Sequence, residues 1–267
     1  YTFYYYIITF IINNHSFFAI ICYYVKNHKG FMMIVLKILL QLKSGFHLRK
    51  MPDFLFNNVN LLLLNNDEIS EFTYDGEINP YSFGFLYPLK FKTKLYEVGD
   101  LYNLNIKCNS DSVANHIKQA LTKNINSGFT LIDIEKQFIN RLSYINSIYT
   151  ASPAVFAFSN LENQFWTMKN SNLDTLKTLC INDLVKKLKY FESKSITADL
   201  NDILSIEILS NKPLVFEHEK HTVFSHKMKI YFSQNKSAGE LSKAAMKYSI
   251  GDKNHLGFGY CVRGMSD

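Results

Sequence analysis

Residues 101–124 read LYNLNIKCNSDSVANHIKQALTKN, and the spacing of their apolar side chains changes halfway along. From Leu101 to Cys108, apolar residues alternate with polar ones, which is the period of a half-buried β-strand. Beyond Ser110 or Asp111, either of which suits a helix N-cap, the apolar residues recur at helical spacing. The stretch therefore predicts a strand that leads directly into an amphipathic helix.

The flanking sequence extends this pair into a longer series of elements. In chain order they are a strand at 34–43, a helix within 51–70, strands at 77–92 and 101–110, a helix at 111–124 and a strand at 129–141. The order strand, helix, strand, strand, helix, strand is that of one ferredoxin-like βαββαβ unit.

The same order begins again near residue 150. It comprises extended segments at 151–160 and 164–170, a helix at 172–192, strands at 203–210 and 221–235, a helix at 237–250 and a strand at 256–264. We therefore predict an α+β protein of two tandem ferredoxin-like (RRM-like) folds packed side by side. The predicted domains are 32–150 and 151–267.

The first 31 residues do not continue this pattern. They are apolar and aromatic, but polar residues at 13–16 interrupt the run before it reaches the roughly 20 residues that span a bilayer. A basic start and a small-residue cleavage site, which mark a signal peptide, are also missing. We expect residues 1–31 to be an extension outside the domains, with a membrane or partner segment as the alternative.

Charge and cysteine content narrow the class of protein further. A net charge of +6 is compatible with a polyanionic partner without requiring one. The 4 cysteines are widely spaced and form no CxxC pair, so they suggest neither a zinc site nor a disulfide framework. Widely spaced cysteines without a disulfide framework favour a cytoplasmic location.

Glycine is concentrated in residues 249–264, which read SIGDKNHLGFGYCVRG. Gly251, Gly257 and Gly259 fall within nine residues, between a predicted helix and a predicted strand. Glycines permit positive φ, and exposed amides beside a helix end bind anions, so the segment suits a phosphate backbone. The alternative is structural, with a helix C-cap at Gly251 and a strand glycine packed under a neighbour. A Walker A or dinucleotide fingerprint does not match.

This segment resembles the C-terminal glycine-rich loop of the CRISPR-associated repeat-processing endoribonucleases of the RAMP superfamily. The resemblance covers residues 33–262, and its clearest departure is Ser249, which replaces the first loop glycine. Three further stretches agree with the family in order, namely NPYSFGFLYP at 79–88, YTASPAVFAF at 149–158 and INDLVKKLKYF at 181–191.

The resemblance implies a protein that binds the repeat hairpin of a CRISPR precursor transcript and cuts at its base. It implies a metal-independent endoribonuclease without cofactor, in which the ribose 2′-OH attacks the adjacent phosphate to leave 2′,3′-cyclic phosphate and 5′-OH ends. Such chemistry needs a base, a proton donor and positive charge beside the phosphorane. The implied partners are repeat RNA and other CRISPR effector subunits, with neither DNA nor membrane. The alternative is a non-catalytic RNA-binding subunit of an interference complex.

The family's base usually precedes the aromatic-serine strand, but the corresponding stretch here contains Tyr74 and no histidine. The nearest histidine is His47, with Lys50 close behind it. We predict His47, Tyr74 and Lys50 as catalytic residues, the alternative for His47 being a surface histidine in a basic loop. His218 and His221 lack an evident third ligand for zinc.

RNA contacts are predicted for the glycine-rich loop, for the lysine face of the helix at 172–192 and for the basic strand at 221–235. The residues are Ser249, Gly251, Lys253, Asn254, His255, Gly257, Gly259, Lys186, Lys187, Lys227 and Lys229.

Overall fold

A computed structural model describes residues 33–64, 79–123, 128–139, 145–158 and 164–264. The predicted extension at 1–31 lies outside the described residues. Among the helices that are described, none combines the length and apolarity needed to cross a membrane.

The first half is a four-stranded antiparallel sheet. Its central strand β1 (Met33–Leu42) pairs with β5 (Leu101–Cys108) on one side and with β6 (Phe129–Ile139) on the other. Strand β3 (Tyr81–Phe83) lies outside β5, so the spatial order is β3-β5-β1-β6. This is the strand order of a ferredoxin-like fold, as the sequence predicted.

Helices cover one face of this sheet. Helix α1 (Met51–Leu55) runs through a π-helical turn (Phe56–Asn60) into α2 (Leu61–Leu64), and α3 (Asp111–Lys123) follows β5. The side of α3 that faces the sheet is apolar because its apolar residues recur every three or four positions. They are the buried Val113, Ala114, Ile117, Ala120 and Leu121.

The second half repeats the same strand order. Its sheet contains β7 (Ser147–Thr150), β8 (Ile203–Ile208), β11 (Met228–Phe232) and β12 (Cys261–Arg263), in the order β12-β7-β11-β8. The first strand of the half is therefore central and pairs with the third and fourth, as in the first half. The predicted tandem α+β architecture is confirmed.

Two capped helices pack on this second sheet. Helix α4 (Leu173–Glu192) begins where the Asn172 side chain accepts the amide of Thr175 at 2.9 Å. Helix α5 (Lys236–Tyr248) begins in the same way at Asn235. An asparagine cap of this kind satisfies an amide that has no intrahelical partner.

The opening strand of the second half differs from the expected one. Strand β7 ends at Thr150, while residues 151–158 form only isolated bridges, at Ala154, Val155 and Ala157. Pro153 has no amide hydrogen, so this stretch is poorly suited to a regular ladder. The two sheets thus divide between Ile139 and β7, earlier in the chain than the predicted boundary.

A hairpin inserted into the second half reaches across to the first. Strands β9 (Leu214–His218) and β10 (His221–Ser225) are joined by Glu219 and Lys220, both at positive φ, which is the geometry of a tight hairpin turn. The Phe216 ring is buried in the core of the first half, 5.1 Å from the ring of Phe85. The hairpin therefore joins the two halves.

The C-terminal segment also crosses between the halves. Leu256 and Phe258 are buried in the first core, although β12 belongs to the second sheet. From β5, the buried Lys107 ammonium donates a hydrogen bond to the carbonyl of Cys261 and lies 4.1 Å from the ring centroid of Tyr260. Burial lowers the pKa of Lys107 to about 8. These contacts fix the glycine-rich loop at the boundary between the two halves, which we call the seam.

Candidate functional site

A basic cavity of about 450 Å³ lies at this seam, and we call it the seam pocket. Its polar groups are His47, Arg49 and Lys94 from the first half and Lys227 and Ser210 from the second. Such a surface attracts polyanions, because several cations converge on one concave site. The apolar side chains that line it are Leu48, Phe91, Leu209, Pro213, Leu214, Val215 and Phe216.

His47 is held at the pocket by a short ladder and by its own backbone. It belongs to β2 (Phe46–His47), which pairs with β4 (Leu95–Tyr96). Its Nδ1 accepts the Arg49 amide hydrogen at 3.1 Å. Because Nδ1 is the acceptor, the proton of the neutral ring sits on Nε2. His47 is exposed, so its Nε2 can donate a hydrogen bond to a bound ligand.

Lys227 approaches the same pocket from the second half. Its ammonium nitrogen lies 5.6 Å from the centroid of the Phe91 ring, and burial lowers the pKa of Lys227. Lys94, which lines the same pocket, is exposed and has a φ of 58°. The attraction of an anion to a partly desolvated ammonium group is stronger than its attraction to one in water.

Lys50 stands near the pocket but is paired. Its ammonium nitrogen lies 2.8 Å from a Glu217 carboxylate oxygen and 3.5 Å from one of Asp53. The hydrogen bond to Glu217 raises the pKa of Lys50. Two carboxylates therefore offset its charge, and it ties the start of α1 to β9. Tyr74, the other predicted catalytic partner, lies outside the described residues.

The structure corrects the interpretation of the glycine-rich loop as an open phosphate cradle. Gly251, Gly257 and Gly259 are buried. The amide of Gly251 donates to an Asp183 carboxylate oxygen at 2.7 Å, and that of Gly259 donates to the Pro153 carbonyl at 2.8 Å. Amides already bonded inside the protein do not receive phosphate oxygens. The structural alternative holds for the packed glycine, since a Cβ on Gly259 would lie 1.8 Å from the Ile250 carbonyl oxygen, but the C-cap of α5 is Ser249 and not Gly251.

Lys187 supports the loop from within instead of facing solvent. Its buried ammonium donates to Asp183 at 2.9 Å, to Asn254 at 2.7 Å and to the carbonyls of Ser249 and Gly251, each at 3.2 Å. The Asn254 amide group is bonded internally as well. Neither side chain is presented to RNA. Ser249 is buried at a φ of 63°, so this serine adopts the backbone that a glycine would take more cheaply.

The other predicted contacts do not line the seam pocket. Lys186 is exposed on α4, and the ammonium groups of Lys229 and Lys253 lie over the rings of Tyr231 and Phe165. His255 is largely buried, and burial, with smaller contributions from Lys253 and His218, lowers its pKa to about 4. Of the predicted residues, His47 and Lys227 are the two that line the seam pocket.

Arg49 and Lys94 were not among the predicted RNA-binding residues. Lysines occupy positions 90, 92 and 94 before a short strand, but the chain there forms a turn in which the Lys94 amide donates to the Lys90 carbonyl at 2.7 Å. The alternation of an extended chain therefore does not identify Lys94, and of the three lysines it alone lines the pocket with Lys227.

Comparison with solved structures gives the class of fold. A Cas6-related protein from Pyrococcus furiosus matches 88% of this chain and 100% of its own, with a TM-score of 0.62 and 16% identity. A RAMP protein binding different RNA substrates matches with a TM-score of 0.60 and 16% identity, over 87% of this chain and 99% of its own. The chain therefore has the fold of RAMP and Cas6 CRISPR-associated proteins over most of its length.

A third similar structure is Thermus thermophilus Cas6, with a TM-score of 0.52 and 14% identity over 86% of this chain and 98% of the other. No family model matches the sequence. No curated protein matches it significantly. At these identities the likeness is one of fold, and it confirms the fold expected from the sequence resemblance.

Proposed function

We propose that the protein binds CRISPR repeat RNA at the seam pocket and cleaves it by attack of a ribose 2′-OH on the adjacent phosphate. The observation that carries the proposal is the convergence of His47, Arg49, Lys94 and Lys227 on one cavity between the halves. The fold shared with RAMP and Cas6 proteins supports it. Lysine and arginine neutralise phosphates and stabilise the phosphorane, while a histidine moves protons near neutral pH.

In its imidazolium form, His47 acts in this proposal as the proton donor to the leaving 5′-oxygen. Its Nδ1 faces the Arg49 amide, so Nε2 is the nitrogen that carries the transferable proton, and the neutral ring with Nδ1 as acceptor is the form left after the transfer. The products are a 2′,3′-cyclic phosphate and a 5′-OH end. No metal takes part in these steps, so the cleavage assay is run in EDTA.

Replacing His47 with alanine is expected to slow single-turnover cleavage of a labelled repeat hairpin by about 10²- to 10⁴-fold, because one general acid is lost. RNA affinity should change little, since the imidazole contributes proton transfer more than charge. The measurement is cleavage rate and Kd for the same RNA. The matched control is His116→Ala on α3, outside the seam pocket, which should cleave normally.

The cleavage and binding assays distinguish an endoribonuclease from a protein that only binds the repeat RNA. A 5′-OH product at one position supports an endoribonuclease, whereas tight, repeat-specific binding without a product supports the structural-subunit alternative. Equal affinity for repeat and scrambled RNA of the same length would reject repeat recognition. An unchanged rate in His47→Ala would reject the assignment of His47 while leaving the activity standing.

Lys94→Ala and Lys227→Ala are expected to weaken RNA binding with reduced salt dependence. Each lost phosphate contact should lower the slope of log Kobs against log salt by about 0.7 to 0.9. Titrations at several salt concentrations measure this slope. Lys118 on α3 does not line the pocket and provides the control, so Lys118→Ala should keep the original slope. If the salt slopes of Lys94→Ala and Lys227→Ala equal that of Lys118→Ala, the seam pocket does not bind the phosphates.

A further inference from the structure

A second polar cluster lies where the β9–β10 hairpin packs on α1. His218 Nδ1 lies 2.9 Å from Asp53 Oδ1, and the Glu219 amide donates to the same oxygen at 3.3 Å. A carboxylate accepts hydrogen bonds, so Nδ1 of His218 must be the donor. In the neutral ring this leaves the lone pair on Nε2. The pair is thus an imidazole whose tautomer and orientation are held by a carboxylate.

This tautomer is opposite to that of His47. His47 accepts at Nδ1 and carries its proton on Nε2, while His218 donates at Nδ1 and presents Nε2 as a base. Both residues lie along one boundary, because β9 lines the seam pocket from Leu214 to Phe216 and then reaches His218. General acid–base cleavage at a phosphate needs a neutral imidazole as the base and an imidazolium as the acid.

His218 is largely shielded from solvent, and both acidic and basic groups surround it. Its side chain is 12% exposed, and its ring centroid lies 5.2 Å from that of Phe56. Phe56 also meets the ring of His255, at 6.4 Å. The charged and titratable groups around this cluster are Asp53, Lys50, Glu217, Glu219, Lys253 and His255.

We propose that His218 is the general base of the cleavage reaction and that Asp53 is its positioning residue. This inference rests on the proposed function. His218 Nε2 takes the proton of the 2′-hydroxyl while the bond from O2′ to phosphorus forms. The bond from phosphorus to O5′ breaks, and the leaving oxygen receives the Nε2 proton of the His47 imidazolium, which becomes neutral imidazole. The two histidines then exchange protons with water, so the reaction returns them to their starting forms.

The test compares His218→Ala, His218→Asn and Asp53→Asn by single-turnover cleavage. Both His218 variants should cleave about 10²-fold slower or worse, with RNA affinity within about threefold of the unaltered protein. His218→Asn keeps a donor near the Nδ1 position for Asp53 but has no base at the Nε2 position. It therefore separates a catalytic role from a structural one. Asp53→Asn should slow cleavage by a smaller factor, because the imidazole is still present.

The matched control is His221, which is exposed and faces His218 across the hairpin ladder. His221→Ala should cleave at the original rate. Added imidazole should restore part of the activity of His218→Ala, because a small base can occupy the vacated space. Melting temperatures of all variants confirm that each is folded.

A substrate with sulfur in place of the bridging 5′-oxygen assigns the two histidines separately. Thiolate leaves without a proton donor, so His47→Ala should cut this substrate nearly as fast as the unaltered protein. His218→Ala should remain slow, because the 2′-hydroxyl still needs its base. Normal cleavage by both His218 variants, or rescue of His218→Ala by the sulfur substrate, would overturn the role of His218 alone. Absence of cleavage by the unaltered protein would overturn the base assignment together with the nuclease, and loss of repeat binding would reject the proposed function itself.

Discussion

Gly259→Ala is expected to lower the free energy of unfolding by more than about 3 kcal/mol, one of the largest effects of a single methyl group in this chain. A Cβ at this position would lie 1.8 Å from the carbonyl oxygen of Ile250, and the residue has a φ of 71°. That oxygen is backbone and is bonded by the Asn254 side chain at 3.2 Å, so it has little room to move. Urea unfolding measures the change.

The control for this substitution is Gly239→Ala in α5. No neighbouring atom lies within 4 Å of a Cβ built there. Alanine in a helix interior is favoured over glycine by roughly 0.5–1 kcal/mol, so this variant should be as stable as the original protein or more so. Similar stabilities for the two variants would show that the loop does not hold Gly259 in this conformation.

Lys187→Met is expected to lower the free energy of unfolding by about 3–5 kcal/mol, because it leaves a buried carboxylate without its cation. Lys187 contacts Asp183 and three acceptors of the glycine-rich loop. The adjacent Lys186 is exposed and provides the control. Lys186→Met should stay within about 0.5 kcal/mol of the unaltered protein.

The cost of Lys187→Met should depend on pH. Burial raises the pKa of Asp183 to about 6, and Lys187 opposes that rise. Since the folded pKa exceeds the ordinary value of 3.8, folding takes up protons between these limits, and stability falls as pH rises through about 6. Without the lysine this pKa rises further. The loss of stability in Lys187→Met should therefore be larger at about pH 8 than at about pH 5. A constant difference would contradict the burial of an ionised pair.

Local pattern determined much of the fold. The helix predicted at 111–124 is Asp111–Lys123, and that predicted at 172–192 is Leu173–Glu192. Both carry an apolar face with a period of 3.6 residues, and a polar residue suited to an N-cap begins each. The sequence did not assign β7 to the second sheet. A strand of four residues is too short for its alternation of apolar and polar side chains to show which half it joins.

The candidate site was only partly visible in the sequence. His47 stood out because it is a histidine in a basic loop, and Lys227 because it lies in a basic strand. Their meeting in one cavity depends on the β9–β10 hairpin, whose Phe216 is buried in the other half's core. Contacts between residues more than a hundred positions apart produce no periodic pattern in the sequence from which they could be predicted.

The sequence by itself determined that the chain forms two successive βαββαβ units and that residues 249–264 need glycine. Tertiary structure alone decided why: the side chain missing from Gly251 makes room for the Val155 carbonyl, and the one missing from Gly257 makes room for Leu55. It also decided that Lys187 points inward and that Asp53 orients His218. Element type follows from the spacing of neighbours along the chain, whereas the role of a charge or a glycine follows from what another segment places against it.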